Sequence, residues 1–179
     1  NSGSIIATGA DSRAIRLEQA DIAEGIHNSG TIKGGDYGIW VGDNDVAPVH
    51  ITQTAGLIEG GQFAIQGGSG NEVSLELAGG TIAGNIAGVF KVDVTGKATF
   101  DGSLIDTEFM DQAGQGWVDL ASDTGHLVLV RPHVTLNGAL EMNSGSTLEL
   151  NLGQAQRSYD DDKFAGKIDS RLGVRGVTE

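Results

Sequence analysis

The sequence predicts an all-β fold, a right-handed three-stranded parallel β-helix, and three observations carry that prediction. A short phrase recurs at intervals of roughly two dozen residues, within the range in which repetition marks a solenoid. Glycine is abundant and proline rare, 29 against 2 in 179 residues, which suits many tight corners between short strands and excludes a collagen-like chain. Hydrophobic residues make up 39% of the chain, too many for a solvated disordered acid, so a packed core is expected.

The repeated phrase reads Asn28-Ser29-Gly30-Thr31-Ile32-Lys33-Gly34-Gly35, then Thr54-Ala55-Gly56-Leu57-Ile58-Glu59-Gly60-Gly61, then Ala78-Gly79-Gly80-Thr81-Ile82-Ala83-Gly84, and Asn1-Ser2-Gly3-Ser4-Ile5 begins it. A second anchor stands nine positions after the repeat glycine at Ile39, Ile65 and Val89. In the first copy Ile15 stands twelve positions on, which implies an insertion there. Each repeat therefore predicts a strand around Gly-x-Ile, a bend, and a second strand such as Gly38-Ile39-Trp40-Val41. A variable loop and a third strand follow, such as Val49-His50-Ile51 or Val73-Ser74-Leu75-Glu76-Leu77. An isolated rung cannot bury its own face, so stacking should place Ile5, Ile32, Ile58 and Ile82 in one buried column. Ile15, Ile39, Ile65 and Val89 should form another. The helix-like stretches, Arg13 to Ala23 and Asp111 to Ala121, are both short.

Three regions follow. Residues 1–103 read as regular rungs. Residues 104–153 read as an irregular segment containing Phe109, Met110 and Trp117, followed by closing strands from His133 to Met142 and Ser146 to Leu152. There Val134, Leu136, Leu140, Met142, Leu148, Leu150 and Leu152 alternate onto one face. Residues 154–179 read as a polar tail or linker that includes Asp160-Asp161-Asp162-Lys163.

Composition excludes several functions. A formal charge of −13 argues against nucleic acid, whose phosphates are held by clustered Lys and Arg. Without cysteine there is no disulfide framework, thiolate metal site or cysteine nucleophile. No run is apolar and long enough for the chain itself to span a membrane as a helix. No Gly-x-Ser-x-Gly opens a helix, and no cofactor or metal site is expected; the chain reads as not an enzyme.

Each candidate site has a plainer reading beside it. Of the carboxylates Asp43, Asp45, Asp93, Asp101, Asp106, Asp119 and Asp123, the pair Asp93 and Asp101 could stack one rung apart as acid and base, although solvated surface charge is the default at this net charge. Gly67 to Leu75 matches a calcium-binding nonapeptide except for Glu72 at the Asp position, and a glycine-rich turn is the simpler reading. Asp43-Asn44-Asp45 lacks full EF-hand spacing. His27 and His50 lie near one repeat apart and could stack, whereas the four histidines show no zinc spacing. Trp40 should point outward, because Ile39 and Val41 on the same strand should point inward. Tyr37 and Phe63 occupy comparable bends of adjacent repeats, so Tyr37, Trp40 and Phe63 form the candidate binding patch, suited to sugar or protein contact. The plainer alternative is that a long loop covers Trp40.

The Asn-Ser-Gly-Thr-Ile-x-Gly-Gly phrase, the second Gly-Ile strand, the missing cysteine, and the closing Gly138-Ala139-Leu140-Glu141-Met142 and Gly145-Ser146-Thr147-Leu148-Glu149-Leu150 together resemble the passenger domain of a bacterial autotransporter, over about residues 1 to 153. That resemblance implies type V secretion through an outer-membrane barrel, a surface-exposed or secreted location, and an autochaperone-like folding nucleus near Trp117 to Leu152. It also implies an adhesin or virulence role: a non-catalytic scaffold that contacts a host surface protein or glycan, or an identical passenger on a neighbouring cell. Absence of cysteine is consistent with crossing the outer membrane unfolded. The rival readings are a glycan-acting β-helix enzyme or tailspike-like polysaccharide binder, and a stalk and folding nucleus for an effector domain.

Overall fold

The computed structural model describes residues 1–19, 22–42, 48–68, 72–107, 116–151 and the backbone of 172–175. Within them the chain is built from strands and turns: β1 (Ser4–Ile6), β2 (Arg13–Leu17), β3 (Ile26–Asn28), β4 (Thr31–Gly34), β5 (Tyr37–Val41), β6 (Val49–Gln53) and β7 (Leu57–Gln66). It continues with β8 (Val73–Ala87), β9 (Lys91–Asp101), β10 (Leu104–Asp106), β11 (Trp117–Leu120) and β12 (His126–Leu129). The last are β13 (Val134–Asn137), β14 (Ala139–Met142), β15 (Thr147–Leu150) and β16 (Leu172–Arg175). Every pairing is parallel, and each strand bonds to the equivalent segment one turn on, so the chain is a parallel β-solenoid. β7, β8 and β9 are long because each runs around a corner, where its pairing shifts register before resuming on the next side of the coil.

The core is a set of columns read directly from the register. One runs Ile5, Ile32, Ile58, Ile82, Phe100, Leu129 and Leu150. The four isoleucines of this column are in the register expected from the repeat, and Ile32, Ile58 and Ile82 are buried, but Ile5, expected to be buried with them, is exposed because it lies on the first strand of the ladder, with a paired strand on one side only. A second runs Ile15, Ile39, Ile65, Ile86, Ile105 and Leu136. Here the expected Val89 gives way to Ile86: Val89 is buried, but β8 turns its corner earlier and delivers Ile86 to the register of Ile65. A third column runs Ile26, Ile51, Leu75, Val92, Val118 and Leu140. Ile32, Ile39, Ile51, Ile58, Ile65, Leu75, Ile82 and Phe100 are sealed from solvent, each aliphatic side chain contributing roughly 1.5–3 kcal/mol of transfer free energy.

The two helix-like stretches contain strands where they are described. Arg13–Leu17 is β2 and Trp117–Leu120 is β11, because both bond to strands already in the ladders and that pairing outweighs weak local helix preference. Phe109 and Met110 lie outside the described residues. The apolar residues of the closing strands do not share one face: Val134 and Leu136 join the Ile105 ladder, Leu140 and Met142 extend the Val118 ladder, and Leu148 and Leu150 extend the Leu127–Leu129 ladder. Two-residue alternation survives within each strand, but the corners between strands send the strands to different sides of the coil. Leu152 and the tail from Gln154 onward lie outside the described residues, except that β16 pairs with β13.

The buried amides Asn28 and Gln53 are matched. Asn28, 1% exposed, receives a hydrogen bond from Asn1 Nδ2 at 2.9 Å and donates to Gln53 Oε1 at 2.7 Å, and Gln53 Nε2 donates to Ala55 O at 2.7 Å. This amide ladder satisfies side chains that would otherwise cost about 1–3 kcal/mol each when buried unpaired.

Candidate binding surface

The candidate patch is assembled by the corner that leads into β5 and β7. At Gly34 and Gly60 a Cβ would collide with the backbone carbonyl of Tyr37 and Phe63 respectively, so only glycine lets the chain fold back this tightly. Neither residue has positive φ, and the requirement is for space. The first residue paired past each corner is the aromatic. Arg13, Tyr37 and Phe63 consequently occupy one register position on three consecutive turns, as do Arg16, Trp40 and Gln66.

The contacts follow. Tyr37 and Phe63 stack with ring centroids 5.9 Å apart and planes within 9° of parallel. The Arg13 guanidinium lies 5.1 Å from the Tyr37 centroid and 4.8 Å from that of Trp40, and the Arg16 guanidinium lies 5.4 Å from Trp40. Tyr37 donates its hydroxyl to Gln62 Oε1 at 3.2 Å. All three aromatic residues are half-buried. Trp40 faces outward between buried Ile39 and Val41, with two arginine side chains over its ring and Gly42 close beside it, while residues 43–47 of the loop that could cover it lie outside the described residues.

Sequence reasoning named the rings and missed the arginines. The signal was present: Arg13 stands two residues before Ile15, as Tyr37 does before Ile39 and Phe63 before Ile65, and Arg16 follows Ile15 as Trp40 follows Ile39. Reading Arg13 as the start of a helix-like stretch hid that alignment.

The other candidates disperse. Asp93 and Asp101 are on different ladders: Asp93 is in register with Glu76 and Asp119 and meets Lys91 Nζ at 2.7 Å, while Asp101 is in register with Ala83 and meets Arg131 Nε at 2.8 Å. They do not form the outward pair expected one rung apart. Glu76, Asp93, Asp119 and Glu141 instead form a carboxylate row on successive turns. Thr95, Lys91 and Asn143 hold its first three members. His27 aligns with Thr52 and His50 with Ser74, so the histidines do not stack. Asp43, Asp45 and residues 69–71 of the glycine-rich nonapeptide lie outside the described residues. Among the described residues no group of three or more His, Asp or Glu side chains converges as a metal site, and no helix is long and apolar enough to cross a membrane. Trp117 makes a second aromatic contact, edge-on to Phe90 at 4.9 Å with Lys91 Nζ 5.7 Å from its ring.

Fold and surface together define a parallel β-solenoid carrying an arginine-aromatic strip on its first turns. No known protein family, curated protein or solved structure matches the chain.

Proposed function

We propose that this chain is a non-catalytic, surface-displayed scaffold of the autotransporter passenger kind, acting in adhesion or cell-cell self-association. The observation that supports the reading is the strip itself: half-buried rings of Tyr37, Trp40 and Phe63, held by the rigid register of three turns and overlaid by Arg13 and Arg16. Aromatic and arginine side chains are the types that dominate recognition surfaces, and rigid placement lowers the ordering cost of binding. A right-handed coil and location on the bacterial surface or in the secreted fraction belong to the same proposal. Adhesion would operate by many weak contacts along repeated molecules, each amplified by avidity.

The test joins sedimentation velocity over a dilution series at low and high salt with clustering of beads coated with the chain, alone and on host-cell surfaces. A concentration-dependent dimer, or bead clustering or attachment, supports the adhesive reading. A persistent elongated monomer on beads that neither cluster nor attach overturns it.

A further inference from the structure

In this acidic chain most described cations are already met by a carboxylate. Arg16 pairs with Glu18, Lys33 with Glu59 at 2.9 Å, Lys91 with Asp93 at 2.7 Å, and Arg131 with Asp101 at 2.8 Å. Lys97 lacks an ion pair with a described residue but stands exposed on a separate ladder. Arg13 differs from all of them. Its guanidinium makes no ion pair with a described residue and is instead lodged against two rings, 5.1 Å from Tyr37 and 4.8 Å from Trp40. Arg16 approaches the same indole at 5.4 Å. Two guanidinia thus gather on one ring, and a single carboxylate, Glu18, serves them. Among the described residues, Arg13 is the guanidinium of the strip that no carboxylate meets, in a chain whose net charge is −13.

The ring geometry decides what can approach. Tyr37 sits in register between Arg13 on one turn and Phe63 on the next, so its faces are occupied by the guanidinium and the stacked ring. Stacking of a neutral sugar on that ring face is therefore blocked. What Tyr37 offers a ligand is its edge, the positive end of the ring quadrupole, beside the N–H fork of Arg13, its hydroxyl proton being donated to Gln62. That combination suits a planar or tetrahedral oxyanion carried on a hydroxyl-rich backbone.

We infer that Arg13, braced by Tyr37 and Trp40, is the anion-recognition point for an acidic polysaccharide, taking a uronate carboxylate or sulfate in the guanidinium fork with pyranose hydroxyl oxygens against the edges of Tyr37 and Phe63. The inference rests on the adhesive reading and supplies its ligand class. A single exposed charge contact is weak, so a polymer with an anion on every repeat, meeting many displayed chains, is the ligand such a site serves.

The test measures binding of the whole chain, immobilised, to alginate, heparin, neutral dextran and poly-L-glutamate at low and raised salt, with Trp40 emission followed in a Trp117→Phe background. Alginate or heparin should bind and perturb Trp40, with affinity falling as salt rises, while dextran does not bind. Arg13→Gln should lower the affinity about tenfold, the scale of one charged hydrogen bond. Arg13→Lys should recover it in part, and Arg131→Gln should leave it unchanged. Far-UV circular dichroism confirms that each variant folds. Dextran binding as well as alginate, poly-L-glutamate binding as well as either polysaccharide, no acidic polymer binding, or an unaffected Arg13→Gln variant each overturns the inference. If coated beads still cluster or attach in any of those cases, the adhesive reading survives without this ligand.

Discussion

Gly56→Ala isolates what turn stacking demands of this sequence. Gly56 lies in an interior corner with φ of 69°, in the left-handed region, where alanine is disfavoured by about 1–2 kcal/mol. A Cβ there would also overlap Gly30 O and lie 2.8 Å from Ser29 O, both backbone atoms of the preceding turn that cannot rotate away. Gly30 O accepts from Leu57 N at 2.8 Å and from Asn28 Nδ2 at 3.2 Å, so displacing it weakens two hydrogen bonds worth about 1 kcal/mol each. Together these terms put the cost at about 3–4 kcal/mol. Gly3→Ala makes the same chemical change at the same place in the repeat, yet its Cβ would meet only Asn1 Oδ1, at 3.9 Å, and its φ is not positive. It should be neutral or slightly stabilising, by less than about 1 kcal/mol. Urea denaturation followed by far-UV circular dichroism reads the difference: with a slope near 2 kcal/mol/M, the Gly56→Ala midpoint falls by about 1.5–2 M and that of Gly3→Ala does not fall. Because a solenoid turn touches only its neighbours, Trp40 emission should report a larger loss than Trp117 emission. A Gly56→Ala midpoint equal to the parent's, or a Gly3→Ala midpoint lowered as far, would refute the reasoning.

Three further outcomes are expected. Phe100→Ala removes a fully buried ring between Ile82 and Leu129 and should cost about 3–5 kcal/mol, lowering the calorimetric melting temperature by about 10 °C; a drop under about 3 °C would mean the column collapses to fill the space. Asn28→Ala strands Gln53 Oε1, itself wholly buried, and should cost about 2 kcal/mol in urea, part of which a second change, Gln53→Leu, restores; purely additive losses would show that the amide ladder does not act as a unit. Lys33→Ala breaks an exposed ion pair with Glu59 and should shift the urea midpoint by the equivalent of about 0.5 kcal/mol or less, so a larger loss would show that the pair is not merely superficial.

Much of the solenoid was legible because its period is written in glycine. The Ile5 column followed from aligning repeat phrases, since a corner that needs glycine occurs once per turn and marks the phase of the strand after it. The Ile15 column followed as far as Ile65 and then slipped to Ile86 in place of Val89, because the β7–β8 pairing shifts register after Glu59 and spacing within one chain does not reveal a shift relative to its neighbour. The assignment of Arg13 to a helix-like stretch had the same origin. Local preference is weak against ladder hydrogen bonds that come from a residue two dozen positions away.

Sequence alone determined the fold class, the repeat phase, the inward isoleucines and the outward direction of Trp40, all properties of one strand and its corner. Tertiary structure decided which residues meet across turns: Arg13 over Tyr37 and Trp40, Tyr37 stacked on Phe63, Asp93 separated from Asp101, His27 out of line with His50. The physical reason is that side-chain direction within a strand is set by its own pleat, whereas contact between turns is set by register, which depends on corner lengths and backbone clearance summed around the whole coil.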